Sequence, residues 1–413
     1  MIIKHRSRII QELDAKSFTV LGSPGSDGLG AGALQMFHAG LIGAQGDFVV
    51  VLGDISPIGR DPYYHQVADF VDIVSPKPVY VMRGNHDGPD YSEYFGLDNC
   101  AILSEEYLLI MLDNSKRRFT DETLTFLRET MALVGSDNVM VAFHVPPPNR
   151  FNGNSMSVDE WQRFEDAVGV WRNRISLLIC SHAHSGFEDE VDGLRLVVTG
   201  GAGAQMHGQD RLAKQQHHAL EITLNADGKP EVSMRTLSQS GIVDRREDVA
   251  EALRRLYGER CRNRVELILR AEDAEKDGAY NLARLYRAAS ESCLHQARSL
   301  YRLLRGDNQG VDLAEDAAQL LRAEALALEA NEVEMADVVG CDVLSELTVR
   351  GVNATNRSFL TLLDRAARQL REGDIGATKY FVCQSCGFMS SGSEEPTYCS
   401  ACGAPSFFIE QAD

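Results

Sequence analysis

Several polar residues able to bind a metal stand directly after apolar runs. Asp54 follows VVVLG, Asn85 and His86 follow VYVMRG, His144 follows VMVAF, and His182 with His184 follows LLIC. A mix of imidazole, carboxylate and amide oxygen suits Mn, Fe, Zn or Ni. Two such ions sharing one carboxylate form the clamp used in phosphoester hydrolysis. A second constellation lies near the C-terminal end. Cys383 and Cys386 form one C-x2-C pair, twelve residues intervene, and Cys399 and Cys402 form another, with Gly387 and Gly403 directly after them. Each pair brings two thiolates to one tetrahedral ion, and the glycines free the backbone where amide N–H groups turn toward sulfur. The spacing suits Zn or Fe alike. Nine cysteines are an odd number, and the other five are scattered singly, which is metal arithmetic and no disulfide framework.

The first set needs a scaffold that gathers strand ends. Short apolar runs at 18–22, 48–54, 78–85, 107–112, 139–145, 175–182, 194–201 and 218–224 read as strands buried on one or both faces. Residues 62–73 and 121–134 between them have helical spacing, so residues 1–240 form an α/β layered domain. Ligands on loops at strand C-terminal ends converge on one edge of such a sheet. From 245 to 375 the texture becomes rich in Ala, Leu, Arg and Glu, without proline through 373, and predicts an all-α four-helix bundle interrupted at Gly306–Gly310. Residues 379–413 are too few to hold a core without a metal and form the four-cysteine ribbon.

GDISPIGR at 53–60, GNHD at 84–87, FHVPP at 143–147 and SHAH at 181–184 resemble, in order, the motifs of the calcineurin-like metallophosphoesterases. The resemblance implies a layered β-sandwich flanked by helices and hydrolysis of a phosphomonoester or phosphodiester by metal-activated water. By it, Asp54 bridges two metals, Asn85, His144 and His182 complete the second site, and His184 belongs to the first. His86 becomes general acid or charge stabiliser, with Asp87 orienting its imidazole. Gly200, Gly201 and Gly203 resemble the family's closing glycine-rich strand end. One departure stands out: where the family has D-x-H on its first strand, this chain has Ser23 and Gly25, and Asp27 is the nearest replacement ligand. A phosphoesterase is thus expected beside an alternative, a non-catalytic pseudo-phosphoesterase that binds a metal or nucleotide as a regulatory or protein-interaction module. His65, His207, His217 and His218 match no motif and are assigned to the surface or to loop hydrogen bonds.

The cysteine tail is similar to the rubredoxin-like module of rubrerythrins, with Phe388, Tyr398 and Phe407 as aromatics around the metal. The bundle resembles the ferritin-like half of rubrerythrin in position and length, but in degenerate form. A di-iron bundle takes Glu-x-x-His from two helices, whereas this chain has Glu291 and His295 at four-residue spacing, no histidine beyond 295, and NATNRSF at 353–359 where a second motif would fall. Glu266, Glu272, Glu324 and Glu329 read as solvated helix faces, and the bundle as a scaffold.

Composition bounds what remains. The 413 residues carry a formal net charge of −19, which argues against a general nucleic-acid surface and leaves a small phosphorylated substrate open. No apolar run approaches 18 residues, and the first residues lack an apolar stretch of secretory type, so a cytoplasmic protein without a membrane span is expected. A protein partner is expected at the bundle or the four-cysteine module, and an exposed apolar bundle face would favour a homodimer.

Overall fold

A computed structural model describes residues 2–28, 31–151, 153–207, 216–240, 246–307, 318–323, 325–327, 343–371, 378–384, 387–400, 404–406 and 409–412. Residues 1–309 and 310–413 form two compact units.

In the first unit, two sheets face each other. One has the order β1 (Ile9–Gln11), β5 (Cys100–Leu103), β6 (Leu108–Leu112), β7 (Val139–Phe143), β8 (Ile175–Cys180), β10 (Leu194–Val198), β9 (Phe187–Val191). The other has the order β12 (Pro230–Thr236), β11 (His218–Leu224), β2 (Phe18–Leu21), β3 (Phe48–Val51), β4 (Val79–Val81). Strands β2, β3 and β4 are mutually parallel, as are β6, β7, β8 and β10. Alternation along each strand divides the core into three layers. Phe18, Val20, Phe48 and Val50 meet Met140, Ala142, Leu177 and Ile179 between the sheets. The opposite faces are covered by helices: Val139, Val141 and Phe143 pack on Leu127 of α4 (Asp121–Leu133) and Phe164 of α5 (Val158–Val168). Val49 and Val51 pack on Phe37 of α1 (Ala31–Ile42) and Val67 of α2 (Asp61–Val74). Thr120 and Ser157 cap α4 and α5 by accepting from the amides of Thr123 and Glu160. A strand buried on both sides must be apolar at every position, and this explains the continuous apolar runs.

The eight apolar runs all hold strands, and the segments at 62–73 and 121–134 are helices. Strands β1, β5, β9 and β12 and helices α1 and α5 come in addition. The first unit continues past the sandwich into an antiparallel pair of long helices, α6 (Glu247–Lys276) and α7 (Tyr280–Arg305), turned at Gly278 with φ 76°. Its core is of small residues, Ala271, Ala274 and Ala283. This hairpin is tied back by a two-residue ladder between Gln239–Ser240 and Gly306–Asp307 and by Gln35 of α1, whose Nε2 donates to the Arg302 carbonyl at 3.1 Å. Glu291 and His295 form an exposed pair at 3.4 Å on α7, and Glu266 and Glu272 are exposed on α6. Glu324, Glu329 and the 308–310 break lie outside the described residues.

The second unit holds the helix Val343–Gln369 and a three-stranded antiparallel sheet, with Lys379–Cys383 between Met389–Gly392 and Ile409–Ala412. Among the described residues no helix is long and apolar enough to cross a membrane.

Candidate metal centre

The loops after β3, β4, β7 and β8 meet at one end of the sandwich. Asp54 and His144 are 1% and 0% exposed and His182 is 7% exposed, and their ligand atoms all lie within 4.8 Å of one another. Asn85 and His86, on the loop after β4, are exposed and form the mouth. Asn114 fixes the position of the loop after β7, donating from Nδ2 to the Val145 carbonyl (2.7 Å) and accepting the Val145 amide at Oδ1 (2.9 Å).

The hydrogen bonds set the charges. His144 Nδ1 donates to the Leu52 carbonyl at 2.6 Å, so the neutral ring carries its lone pair on Nε2, 2.9 Å from Asn85 Oδ1 and 3.2 Å from Asp54 Oδ2, whereas the protonated ring donates from Nε2 to Asn85 Oδ1. The second contact has an ion-pair distance without hydrogen-bond geometry, and Asp54 Oδ2 is buried with no hydrogen-bond partner. Electron-rich atoms thus converge on one point, and a buried carboxylate oxygen left in that condition is costly unless a cation meets it. The donor set fits a divalent ion. Protonation follows the same logic. Burial alone would lower the His144 pKa, but the Asp54 carboxylate outweighs it and raises it. Burial would raise that of Asp54, and His144 with the His86 amide brings it down instead. Burial, with His144 and Arg117 nearby, holds His182 down to about 3, leaving it neutral and able to ligate.

Asp87 does not orient the His86 ring. Its Oδ2 accepts the amides of Asp54 (2.9 Å) and Gly84 (2.8 Å), and its Oδ1 accepts the Tyr64 hydroxyl (3.2 Å). It braces two loops, while His86 Nδ1 donates to the Pro57 carbonyl at 3.1 Å. Burial, then the Asp54 charge, push the Asp87 carboxyl up to about 7.

The other half of the expected two-metal site is built differently. Ser23 is fully buried and its hydroxyl pairs with that of Ser181 at 2.9 Å. A Cβ on Gly25 would lie 2.3 Å from the Ile55 carbonyl oxygen, and the Gly25 amide donates to the Asp54 carbonyl, so backbone fills the place of a ligand. His184 accepts or shares a hydrogen bond with Ser26 at Nε2 (3.2 Å), while its buried Nδ1 has no hydrogen-bond partner and stands 4.0 Å from Asp27 Oδ2. Asp27 is also tied to the Gln205 amide at 2.6 Å. Asp27 therefore reaches His184 but not the cluster of Asp54, His144 and His182, which is the one such group among the described residues. Gly200 passes so close to His184 that a Cβ would lie 2.4 Å from its Cα.

Arg117, which belongs to none of the motifs, also reaches the site. Arg117 Nη2 donates to His182 Nε2 at 3.0 Å. His207 stacks on His184 with ring centroids 5.1 Å apart. His218, expected on the surface or in a loop, is buried on β11 with Nε2 at 2.9 Å from Thr199 Oγ1. Five of the six non-glycine residues with positive φ among those described border the site: Ser23, Asp54, Arg117, His182 and His184. A site made at abrupt strand-to-loop turns accounts for them.

In the second unit, Cys383 and Cys399 are buried beside Phe381 and Ile409, and both line a cavity of about 290 Å³ with Phe388 and Tyr398. The Gly387 amide donates to the Cys383 carbonyl and the Cys399 amide to the Ala404 carbonyl. Cys386, Cys402 and Phe407 lie outside the described residues.

Residues 31–186 match the family model for the calcineurin-like phosphoesterases, so the sandwich carries a calcineurin-like phosphoesterase domain. The chain is also similar to a rubrerythrin of Clostridium perfringens, 24% identical over 183 residues that span 39% of this chain and 92% of that protein. Among solved structures it is similar to GAP50, the anchor in the inner membrane complex of Plasmodium, at 12% identity and a TM-score of 0.41, over 54% of this chain and 84% of that one. It is likewise similar to a 5'-nucleotidase of Staphylococcus aureus (12% identity, TM-score 0.33, 54% and 53% of the two chains). Vps29 of Entamoeba histolytica complexed with zinc gives 13% identity and a TM-score of 0.28, over 53% and 98%.

Proposed function

We propose that the domain hydrolyses a small phosphate ester with one divalent metal held by Asp54, Asn85, His144 and His182. The observation that carries this reading is the convergence of His144 Nε2, Asn85 Oδ1 and the unpartnered Asp54 Oδ2 on one buried point. A metal there would polarise a phosphoryl oxygen and lower the pKa of water. The chain's own residues supply the rest. Asn85 and His86 open the site to solvent on one side only, because Asp54, His144 and His182 are closed in from behind. His86 donates its Nδ1 proton to the Pro57 carbonyl, and as the imidazolium its Nε2–H would protonate the leaving oxygen, the proton then being restored from solvent. Asp87 acts through the backbone, fixing the Asp54 and Gly84 amides so that the two ligand loops keep their spacing.

A second reading, a pseudo-phosphoesterase that binds a metal or nucleotide without turnover, is favoured by Ser23 and Gly25, which replace two ligands of the first metal by a hydroxyl and backbone. Hydrolysis of p-nitrophenyl phosphate and bis-p-nitrophenyl phosphate with added Mn²⁺ separates the two. Wild type turning over, with activity lost in Asp54→Ala and His86→Ala, supports the enzyme. Mn²⁺ binding that needs Asp54 but brings no turnover supports the binding module, and activity surviving both substitutions sinks the site.

The helical segment at 245–375 serves as scaffold and contact surface, and Leu256, Val265, Leu269 and Leu285 on α6 and α7 are exposed apolar groups suited to a protein partner or a second copy. Residues 379–413 hold Zn or Fe on Cys383, Cys386, Cys399 and Cys402, a reading supported by the cavity that Cys383 and Cys399 share. Colour tests the metal: a four-thiolate ferric site is red, and colourless protein with one bound Zn excludes iron.

A further inference from the structure

The Arg117 guanidinium meets a residue of the proposed metal set. Arg117 sits in the exposed loop after β6 with φ 60°, and its side chain is held by the Ser155 carbonyl (3.2 Å to Nη1) and by Asn154 Oδ1, both in the segment between β7 and α5. Its remaining contact is the donation from Nη2 to His182 Nε2 at 3.0 Å. Guanidinium has only donors, so this bond uses the lone pair on Nε2 and puts the ring proton on Nδ1.

A neutral imidazole has one lone pair to give. If a metal takes Nε2, the place of Arg117 is occupied. If a metal takes Nδ1, the proton moves to Nε2 and faces the guanidinium N–H. Whichever nitrogen ligates, Arg117 and the metal are alternative partners of His182. Resting on the one-metal reading above, we propose that Arg117 is a positioning residue released by metal loading: it leaves His182 when the ion binds and its freed N–H groups take the substrate's phosphoryl oxygens. Asn154 and Ser155 keep the guanidinium at the mouth when it lets go, and a planar fork of donors matches a phosphate.

The test is Mn²⁺ binding by calorimetry on the full-length protein, with and without inorganic phosphate, for wild type, Arg117→Gln and Asp54→Ala. Arg117 is exposed, so the substitution leaves the core intact. Without phosphate, Arg117→Gln binds Mn²⁺ roughly tenfold tighter or more, since no charged hydrogen bond has to be broken. Phosphate tightens Mn²⁺ binding in wild type more than in Arg117→Gln, by roughly fivefold or more, because the released arginine couples the two ligands. Equal or weaker Mn²⁺ binding by Arg117→Gln, or equal tightening by phosphate in both, overturns the proposal while the metal site stands. If wild type shows no Mn²⁺ binding that Asp54→Ala removes, the one-metal reading itself falls and this proposal with it.

Discussion

The two halves of the site occupy the same end of the same sandwich, yet their polar atoms are satisfied in different ways. On the side of Asp54, His144 and His182, acceptor atoms converge and one carboxylate oxygen has no hydrogen-bond partner. On the side of Ser23 and His184, hydroxyl groups and backbone have moved into the gaps: Ser23 pairs with Ser181, and Ser26 reaches His184. The fold thus delivers strand ends to a common point, but whether that point demands a cation depends on how much of its polar surface finds a proton donor. A hydroxyl can donate as well as accept, so Ser23, Ser26 and Ser181 are all partnered and that side leaves only a ring nitrogen, His184 Nδ1, without a hydrogen bond, whereas the other side leaves a carboxylate oxygen, Asp54 Oδ2.

The histidines break this comparison most directly. His144→Ala should weaken Mn²⁺ binding by at least about a hundredfold, beyond the range seen for outer partners of a ligand, while His184→Ala should stay below about tenfold. Calorimetry on both variants checks this, and equal losses would mean that His184 ligates after all. Next in size is the attempt to rebuild the missing half. Ser23→Asp combined with Gly25→His should bind no second Mn²⁺ and should lose about 2 kcal/mol or more of stability, because a side chain at 25 collides with the Ile55 carbonyl. Metal stoichiometry and thermal melting decide it; a ratio of two ions per chain would show that the loop can yield.

A pH effect tests the state of His182 in chelator. His182 has its folded-state pKa depressed to about 3 against about 6.5 in an unfolded chain, so the unfolded state takes up the proton first. Its contribution is present in full above about pH 6.5 and is lost as pH falls toward 3. Wild-type melting temperature should therefore drop between pH 7 and pH 5, and His182→Gln should drop less; parallel curves would remove His182 from the account. The smallest expected change is Asp27→Asn, which stays within the error of the wild-type Mn²⁺ affinity, well inside the roughly tenfold effect of losing a metal's partner.

Much of this architecture could be read from the chain because doubly buried strands have no choice of residue type. FVVVL, VMVAF and ISLLIC can only be interior, and a polar residue ending each is conspicuous. Three of the four strands that escaped, β1, β9 and β12, lie at sheet edges: β9, FEDEV, has three charged residues turned to solvent or half-buried, and β12 begins with proline. Helix α1, AGALQMFHAGLI, has no charged residue to mark an outer face. Asp54, Asn85, His144 and His182 were legible as a set because each sits at the same place relative to its strand. Arg117 was not, since KRR in a loop reads as solvated charge, and only the turn at 117 and the contact with the segment before α5 bring it to His182. Asp87 departs from the sequence expectation for a similar reason: adjacency to His86 in the chain suggests contact, but the Asp87 carboxylate turns to the Asp54 and Gly84 amides and the Tyr64 hydroxyl.

The positive φ angles shared by Ser23, Asp54, Arg117, His182 and His184 have a consequence for heat tolerance. For an L-residue, left-handed backbone costs roughly 1–2 kcal/mol, and glycine avoids it. Replacing any of the five by glycine relieves that strain, so a library selected only for survival at high temperature should drift toward glycine at these positions and away from binding. The positions where such a selection and a selection for metal or phosphate binding disagree would trace the outline of the site without any ligand being identified beforehand.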